Sequence, residues 1–386
     1  MKQRNIKLFY IHSLLFQFSD SMLAIVLPIF LYKLFGSISA VFIFTLSWNL
    51  IYLILFIPLF NLAMHLKNPK YFMAMGVVLY VISLWLFGQT TTENIRLIIP
   101  ATIIFSLYIS FYWLIRHWFF SVNADYLKIG RQISTLSIMG MLVSFIAPII
   151  GGALSFLVSF NITFILGAIT AGFSLIPVLL FFAPPHPRSY GFKKIIRILQ
   201  NPNLKAIRSA PIWEGFSAYL IKTCWVLAFA IFIGNIMSLG ILTGVTTLLS
   251  AILTWMAGGW FDARKRAKLL TRLTGIRVAL TLLYPTIFFF PNMIYIWIVE
   301  TLNKTTSGMH CTVTDSYLFA YSNKIHPIHF HLNREIYMTI TRIISSAILA
   351  VAFYFLPSES LWVAIALGAF MMFGWNSLKR SDHLLH

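Results

Sequence analysis

Charge is what this chain lacks most. Only 10% of its 386 residues are charged and just 10 are acidic, whereas a soluble domain carries about 25% charged residues. So few charges exclude a soluble multidomain enzyme, and a hydrophobic content of 59% excludes a disordered chain. The only two cysteines, Cys224 and Cys311, both fall in apolar segments, which excludes a disulfide framework and a zinc motif.

Long apolar segments recur along the chain with only short polar breaks. A helix needs about 20 residues to cross the hydrocarbon core of a membrane. The pattern therefore predicts an all-α polytopic membrane protein with twelve transmembrane helices, at residues 6–34, 38–65, 71–90, 97–121, 132–158, 161–184, 207–235, 239–261, 269–290, 293–320, 334–356 and 359–378. The first segment contains Asp20 and no small-residue cleavage site follows it, so we expect a retained span and not a signal peptide.

Basic residues are distributed unequally between the two sides of these spans. Of the 29 lysines and arginines, 22 lie in segments on the side of the N-terminus, two (Lys33 and Arg96) on the opposite side and five inside spans. This bias predicts a cell membrane protein, located in the inner or cytoplasmic membrane, with both termini cytoplasmic. The net charge of +19 would then serve topology and contact with anionic membrane lipids, and not the binding of nucleic acid.

A proline-rich break divides the chain near its middle. The run Pro184-Pro185-His186-Pro187 cannot continue a helix, and a basic, partly amphipathic stretch follows it. We expect an N-terminal six-helix bundle over residues 1–184, a cytoplasmic linker over 185–206 and a C-terminal six-helix bundle over 207–386. The halves share a similar hydropathy layout, and a six-plus-six repeat predicts alternating access between two bundles.

Two short motifs lie in spans five and eight. Residues 258–266 read GGWFDARKR, which has the form G-x-x-x-D-x-x-x-R, and residues 147–152 read APIIGG, close to G-P-x-x-G-G with Ala147 in place of the first glycine. Both resemble elements of the major facilitator superfamily, although the loop after span two lacks the first-half copy of the loop motif. The resemblance implies two six-helix bundles around a cavity lined by spans one, four, seven and ten, and it associates the span-five element with proton-coupled exporters.

These motifs also suggest where the chain opens and closes. Pro148 removes a backbone hydrogen bond and Gly152 permits close helix packing, so this element either bends during transport or only packs tightly. Asp262 can accept hydrogen bonds from a guanidinium or a helix N-terminus. We expect it to lie close to the start of span five, around Arg131 and Gln132, when the cytoplasmic side is closed, the alternative being a topological charge beside a turn. Arg264 and Arg266 are further gating candidates.

Charged residues inside the spans are costly unless they are paired or hydrated, and they mark candidate sites. Asp20 in span one is the first candidate for proton coupling, since burial favours a neutral carboxylate and a nearby cation favours the charged one. Its alternative role is a permanent partner for a basic residue. Glu300 is the second candidate, although Lys304 follows it at the i, i+4 spacing that lets the two neutralise each other.

Further polar and aromatic residues in spans one, four, seven and ten are candidates for lining a substrate cavity: Gln17, Tyr112, Arg116, Glu214, Lys222, Trp225 and Lys304. Lys222 is predicted either to bind an anion or to pair with Asp20 or Glu300 across the cavity. Arg116 and Asp315 lie near the cytoplasmic ends of their spans, so a gate ion pair and a substrate contact are both open. Trp225 could stack on a planar ligand or serve packing.

Three histidines, His326, His329 and His331, lie close together before predicted span eleven. Imidazole is a common metal ligand, but Glu335 is the only acid nearby, so we expect a solvated cytoplasmic loop, with metal binding as the alternative. No phosphate-binding loop of the P-loop type occurs, which argues against an ATP-driven pump. The sequence predicts no enzyme, no cofactor and no resident metal.

Together these features predict a monomeric secondary transporter for a small-molecule substrate, with protons as the coupling ion. The span-five element favours efflux of a small organic or amphipathic solute. Uptake of an anionic nutrient is the alternative, favoured by Lys222, Lys304 and Arg116. A transport-dead relative that acts as a receptor is a third reading.

Overall fold

The chain is helical throughout the part that the structure describes. This computed structural model describes residues 2–65, 68–125, 128–182, 192–201, 204–262, 266–324 and 327–384, and no strand occurs among them. The α-helices are α1 (Lys2–Phe35), α2 (Ile38–His65), α3 (Lys70–Gln89), α4 (Ile98–Asn123), α5 (Ile129–Leu157), α6 (Phe160–Phe173), α7 (Leu175–Leu179), α8 (Phe192–Gln200), α9 (Lys205–Ala218), α10 (Cys224–Phe232), α11 (Ile236–Asp262), α12 (Arg266–Thr281), α13 (Met293–Lys324), α14 (Pro327–Phe355) and α15 (Ser360–Met371).

Nine helical segments of this described part are long and apolar enough to cross a membrane, and they coincide with predicted spans one to seven, eleven and twelve. Span six combines α6 and α7, and span seven combines α9 and α10 through a π-helical turn, Tyr219–Thr223. The other three predicted spans are also helical, as α11, α12 and α13. The polar Glu300, Lys304 and Asp315 in α13 lower its hydropathy without preventing it from lining a protein interior. The prediction of an all-α polytopic fold is confirmed.

Local signals set several of the helix ends. Gly36 follows α1 with φ of 67°, a left-handed conformation that glycine adopts without a Cβ clash, and its N–H donates to the Tyr32 carbonyl at 2.8 Å. Ser159 precedes α6, and its hydroxyl accepts from the Ile162 N–H at 3.3 Å. Such a cap satisfies one of the unpaired N–H groups at a helix start.

The first seam between the two halves of the chain is formed by α5 and α11. A Cβ built on Gly152 would lie 2.6 Å from the carbonyl oxygen of Ile236, and Gly240 meets the Pro148 carbonyl in the same way. Glycines at these positions therefore let the two backbones touch, as small residues do between membrane helices. The Pro148–Gly152 element acts in this structure as a packing surface.

The second seam is formed by α2 and α14. Ser39 donates to the Ala350 carbonyl at 2.7 Å, and Thr45 donates to the Ser346 hydroxyl at 3.2 Å. These contacts lie near the end of α2 that follows α1. The same two helices meet again further along, at Tyr52 of α2, so the seam extends over much of their length.

The start of α14 corrects one prediction. The helix begins at Pro327, seven residues before the predicted start of span eleven, so His329 and His331 lie in a helix and not in a solvated loop. His331 is only 1% exposed. The solvated-loop prediction is wrong for His331 because its ring packs between the halves of the chain, and His326 lies outside the described residues.

The predicted linker contains the short amphipathic helix α8. Its apolar side chains Ile195 and Ile198 are buried, while Lys193 and Arg197 are exposed. Arg208 donates to the Leu199 carbonyl at the end of α8. It thereby provides a donor for one of the carbonyls that a helix end leaves without a partner. The domain boundaries at 184 and 206 stay predictions, since residues 183–191 lie outside the described part.

Candidate transport cavity and the contacts that close it

A cavity of about 230 Å³ lies between the halves of the chain, and we call it the central cavity. Its wall is formed by α1, α5, the π-helical turn with α10, α11, α12 and α13, and by Met372 after α15. Its charged side chains are Lys222, Arg277, Lys304 and Glu300. Three formal positive charges therefore face one negative charge among the described residues of this wall.

Glu300 is fully buried at the edge of this cavity. Its Oε1 lies 3.8 Å from Lys304 Nζ, and its Oε2 accepts a hydrogen bond of 2.5 Å from the Tyr284 hydroxyl. The predicted i, i+4 pairing is thus present, although the separation is at the long end for a salt bridge. Lys304 keeps a side chain that is 34% exposed, so its ammonium can reach a ligand as well.

Arg277 contributes a cation that no carboxylate among the described residues neutralises directly. Its Nη1 lies 2.8 Å from His310 Nδ1, and His310 Nε2 lies 3.1 Å from the Thr274 hydroxyl. Because a guanidinium can only donate, Nδ1 must be the acceptor, and His310 is therefore the neutral tautomer that carries its proton on Nε2. The charge of Arg277 remains available to the central cavity.

Lys222 lies on the π-helical turn in the middle of span seven. Such turns are rare and frequently occur at functional sites. The side chain is exposed, and it makes no hydrogen bond or ion pair with the described residues. It lines the central cavity and also a neighbouring one of about 440 Å³, which we call the second cavity.

The second cavity has balanced charges. It is lined by the cations Lys222, Arg334 and Arg342 and by the carboxylates Asp20, Glu214 and Glu335, with His117 between them. Asp20, predicted as the proton site, has no hydrogen bond or ion pair within the described residues and shares this cavity with Lys222. The predicted ion pair of Lys222 with Asp20 is not formed in this structure, although both residues line the same cavity.

A cluster of polar contacts lies beside the second cavity on the side of the chain where α1 begins, which we call the N-terminal face. His117 Nδ1 of α4 lies 3.2 Å from Glu335 Oε1 of α14, and Glu335 Oε2 accepts from the Tyr52 hydroxyl of α2 at 3.2 Å. Arg334 Nη2 lies 3.1 Å from Glu214 Oε2. We call these five residues the latch, because His117 and Tyr52 belong to one half of the chain and the other three to the other half.

His331 adds a further contact across the same seam. Its Nε2 lies 2.7 Å from the Ser121 hydroxyl, which in turn lies 3.1 Å from the hydroxyl of Ser322. The rings of His331 and His117 stack with centroids 5.5 Å apart. Sequence reasoning missed these roles because it began span eleven at Arg334. The helical spacing of His331, Arg334 and Glu335 was the available signal.

Several predicted cavity residues lie elsewhere. Tyr112 is fully buried, stacks on Phe16 at 4.4 Å and has its hydroxyl 2.8 Å from His12 Nε2. Arg116 donates to the Ser13 hydroxyl at 3.4 Å. At this level α1 covers the face of α4 that carries both residues.

Other predicted candidates take up varied positions. Gln17 donates to the Ser21 hydroxyl at 3.1 Å and contacts α5. Trp225 lines the central cavity and stacks on Tyr284 with centroids 4.3 Å apart. Asp315 forms no salt bridge with Arg116 in this structure, although both residues are described.

The predicted gate at the end of α11 stays a prediction. Arg264 lies outside the described residues, as do the side chains of Asp262 and Arg266 at the ends of α11 and α12. Arg131 lies in the first turn of α5 and is exposed. Among the described residues, no group of three histidine, cysteine or acidic side chains has the arrangement of a metal site.

Comparison with known proteins identifies the fold. No sequence family and no curated protein matches the chain. Solved structures do match over nearly its whole length: the human organic anion transporter MFSD10 (TETRAN), with 13% identity, a TM-score of 0.66 and coverage of 100% of this chain and 99% of that one; and the Escherichia coli fucose:proton symporter FucP, with 15% identity, a TM-score of 0.67 and coverage of 98% of both chains. FucP in an outward conformation matches equally well, with 14% identity and a TM-score of 0.67.

The fold and its cavity thus define a multi-pass, all-helical membrane protein. More particularly, it has the fold of the major facilitator superfamily transporters, and the resemblance noted in the sequence is confirmed at that level. At these identities the likeness concerns the fold, and the activity must be argued from the cavity.

Proposed function

We propose that the chain is a secondary transporter that moves a small organic anion across a cell membrane by alternating access. The observation that carries this proposal is the charge of the central cavity, where Lys222, Arg277 and Lys304 face Glu300 as the only carboxylate among the described lining residues. Cations inside a membrane protein are costly unless a partner compensates them. An anionic substrate supplies that partner.

Two proteins of similar structure support this proposal, since MFSD10 is described as an organic anion transporter and FucP as a fucose:proton symporter. Protons are the proposed coupling ion, with Asp20 as the first site and Glu300 as the second. Asp20 shares the second cavity with Lys222, so a substrate anion that binds Lys222 changes the field at Asp20. This gives the substrate and the proton a route by which each affects the binding of the other.

Alternating access requires the latch to open on one side and the α5–α11 contact at Gly152 to open on the other. With both termini cytoplasmic, as the basic residues predict, the latch lies on the cytoplasmic side. The protein is proposed to act as a monomer, surrounded by membrane lipids, with no cofactor.

Uptake and efflux are two alternative proposals for the direction of transport. The cation excess favours uptake of an anionic nutrient. The Ala147–Gly152 element favours efflux, with a small organic or amphipathic solute as cargo, but in this structure it serves packing. Vesicles of both orientations, containing the purified chain, separate these directions.

The test uses proteoliposomes and a mixture of labelled lactate, gluconate and benzoate under an imposed pH gradient. We expect uptake above that of protein-free liposomes, and loss of that uptake in Lys222→Met. Transport of a lipophilic cation but of none of these anions would overturn the anionic cargo. A folded chain that transports neither class would support the receptor-like reading.

A further inference from the structure

Several polar groups of the central cavity lack partners. Lys222 and the hydroxyls of Thr243 and Ser307 make no hydrogen bond with the described residues. Two more groups are buried without one, the indole Nε1 of Trp225 and the Oε1 of Glu300, the latter only 3.8 Å from Lys304 Nζ. Unpaired polar groups in a low-dielectric interior are costly, so they indicate what a ligand has to offer.

These groups demand two kinds of ligand atom. The ammonium of Lys222 and the guanidinium of Arg277 call for an anionic acceptor. Glu300 Oε1 can only accept when ionised, so it calls for a donor, while Trp225 Nε1 can only donate. A hydroxyl both donates and accepts, and is therefore a suitable partner for a carboxylate as well as for an indole.

A simple carboxylate cannot meet these needs. It would neutralise Lys222 and leave Glu300 Oε1 and the hydroxyls of Thr243 and Ser307 unpaired. An amino acid would place its ammonium beside Glu300, but Lys222, Arg277 and Lys304 would repel that charge. The stacked rings of Trp225 and Tyr284 offer an apolar face to a short carbon chain.

We propose that the central cavity binds a small hydroxylated carboxylate, with its carboxylate on Lys222 and its hydroxyls on Glu300, Thr243 and Ser307. This inference rests on the proposed function and names the substrate class of the same site. The hydroxyl pattern then supplies selectivity, because a site that hydrogen-bonds a hydroxyl rejects the analogue that lacks it.

The test compares matched probes on the purified full chain by calorimetry and thermal melting. Gluconate, hexanoate and sorbitol share six carbons, and glycerate, propionate and glycerol share three. We expect gluconate or glycerate to bind at least about tenfold more tightly than the carboxylate of equal length without hydroxyls, the value of one or two hydrogen bonds to charged groups. The neutral polyols should bind more weakly still.

Variants assign the contacts. Thr243→Val and Ser307→Ala should weaken binding of the hydroxylated acid about threefold to tenfold and leave hexanoate or propionate unchanged. Lys222→Met should abolish binding of both acids. The matched control is Ser47→Ala on α2. The Ser47 hydroxyl donates to the Ile43 carbonyl on a helix face that carries the exposed Leu50, so this variant should bind the acids as the unmodified chain does.

The outcomes separate this inference from the proposed function. Equal binding of gluconate and hexanoate, or binding of a plain carboxylate alone, overturns the hydroxylated class and leaves anion transport standing. Tighter binding of serine than of glycerate overturns the class in favour of an amino acid. If the chain melts cooperatively and binds no acid of either length, both the class and the anionic cargo are wrong.

Discussion

His117 Nδ1 on α4 and Glu335 Oε1 on α14 lie 3.2 Å apart across the seam between the two halves of the chain. Their side chains are 12% and 3% exposed, so the contact is shielded from solvent. Neither atom makes a well-aligned hydrogen bond here. A close but poorly aligned polar contact is suited to being made and broken in the alternating access proposed above.

The first prediction concerns opening of the latch. His117→Ala removes the α4 partner of Glu335, so the N-terminal face should open more often. Met338→Cys places a thiol at a buried position that lines the second cavity. We expect it to react several times faster with a membrane-impermeant thiol reagent in the His117→Ala background.

The labelling experiment requires that the native cysteines do not react with the reagent. Cys311 is exposed and is replaced by alanine, whereas Cys224 is buried and stays. Ser47→Ala in place of His117→Ala should leave the labelling rate unchanged. An unchanged rate with His117→Ala would show that the His117–Glu335 contact does not hold this face closed.

The second prediction concerns the ion pair of Arg334 with Glu214. Arg334 Nη2 lies 3.2 and 3.1 Å from the two carboxylate oxygens of Glu214. Removing one partner leaves the other charge unpaired at a mostly buried position, so Arg334→Met should cost about 1–3 kcal/mol of stability. Adding Glu214→Gln should restore part of that loss, since no bare carboxylate then remains.

A double-mutant cycle measured by thermal or denaturant unfolding in detergent isolates this coupling. If the losses of the two single variants simply add in the double variant, the pair contributes nothing beyond its separate residues.

Features set by neighbouring residues could be predicted from the sequence, whereas contacts between residues far apart in the chain could not. The spans follow from local hydropathy, which is why their predicted and observed limits agree within a few residues except at the start of α14 and at the end of α12, which stops at Thr281 and not at residue 290. The contacts at the N-terminal face join residues that are remote in the sequence. His331 and Ser121 are 210 residues apart and Arg334 and Glu214 are 120 apart, and no local pattern pairs them.

The site residues show the same limit. Glu300 with Lys304 was predictable because both lie on one helix at i, i+4. The burial of Tyr112 was not, since it depends on His12 and Phe16 of α1 approaching α4 from elsewhere in the chain. The charge of Arg277 became assignable to the cavity only through its contact with His310.

The third prediction concerns the α5–α11 seam. A Cβ on Gly152 would approach the Ile236 carbonyl oxygen to 2.6 Å. A carbonyl oxygen of the backbone cannot turn away as a flexible side chain can, so the two helices must separate. Gly152→Leu should therefore lower the melting temperature and reduce transport at least about tenfold, in line with the cost of overpacking a close contact.

Gly275→Ala on α12 is the control for that substitution. A Cβ there meets nothing within 4 Å, and alanine favours a helix over glycine by about 1 kcal/mol. Transport should be retained and the melting temperature unchanged or raised. Full activity in Gly152→Leu would show that the seam has slack at this point.

The fourth prediction concerns coupling through Asp20. This carboxylate lies in α1, lines the second cavity with Lys222 and has no direct partner among the described residues. Rocking of the two halves would change its hydration and its distance from that cation, so it can bind a proton in one state and release it in the other. Asp20→Asn should abolish anion transport driven by a pH gradient and preserve substrate binding and exchange.

Exchange and gradient-driven uptake must be measured on the same proteoliposomes, because a variant that has merely misfolded would lose both. Glu300→Gln is the comparison, since Glu300 is fully buried and hydrogen-bonded to Tyr284 and is the second candidate for the proton. If Asp20→Asn still concentrates the anion with an unchanged dependence on pH, Asp20 is a structural residue. A loss of gradient-driven uptake in Glu300→Gln, with exchange intact, would then assign the coupling site to α13.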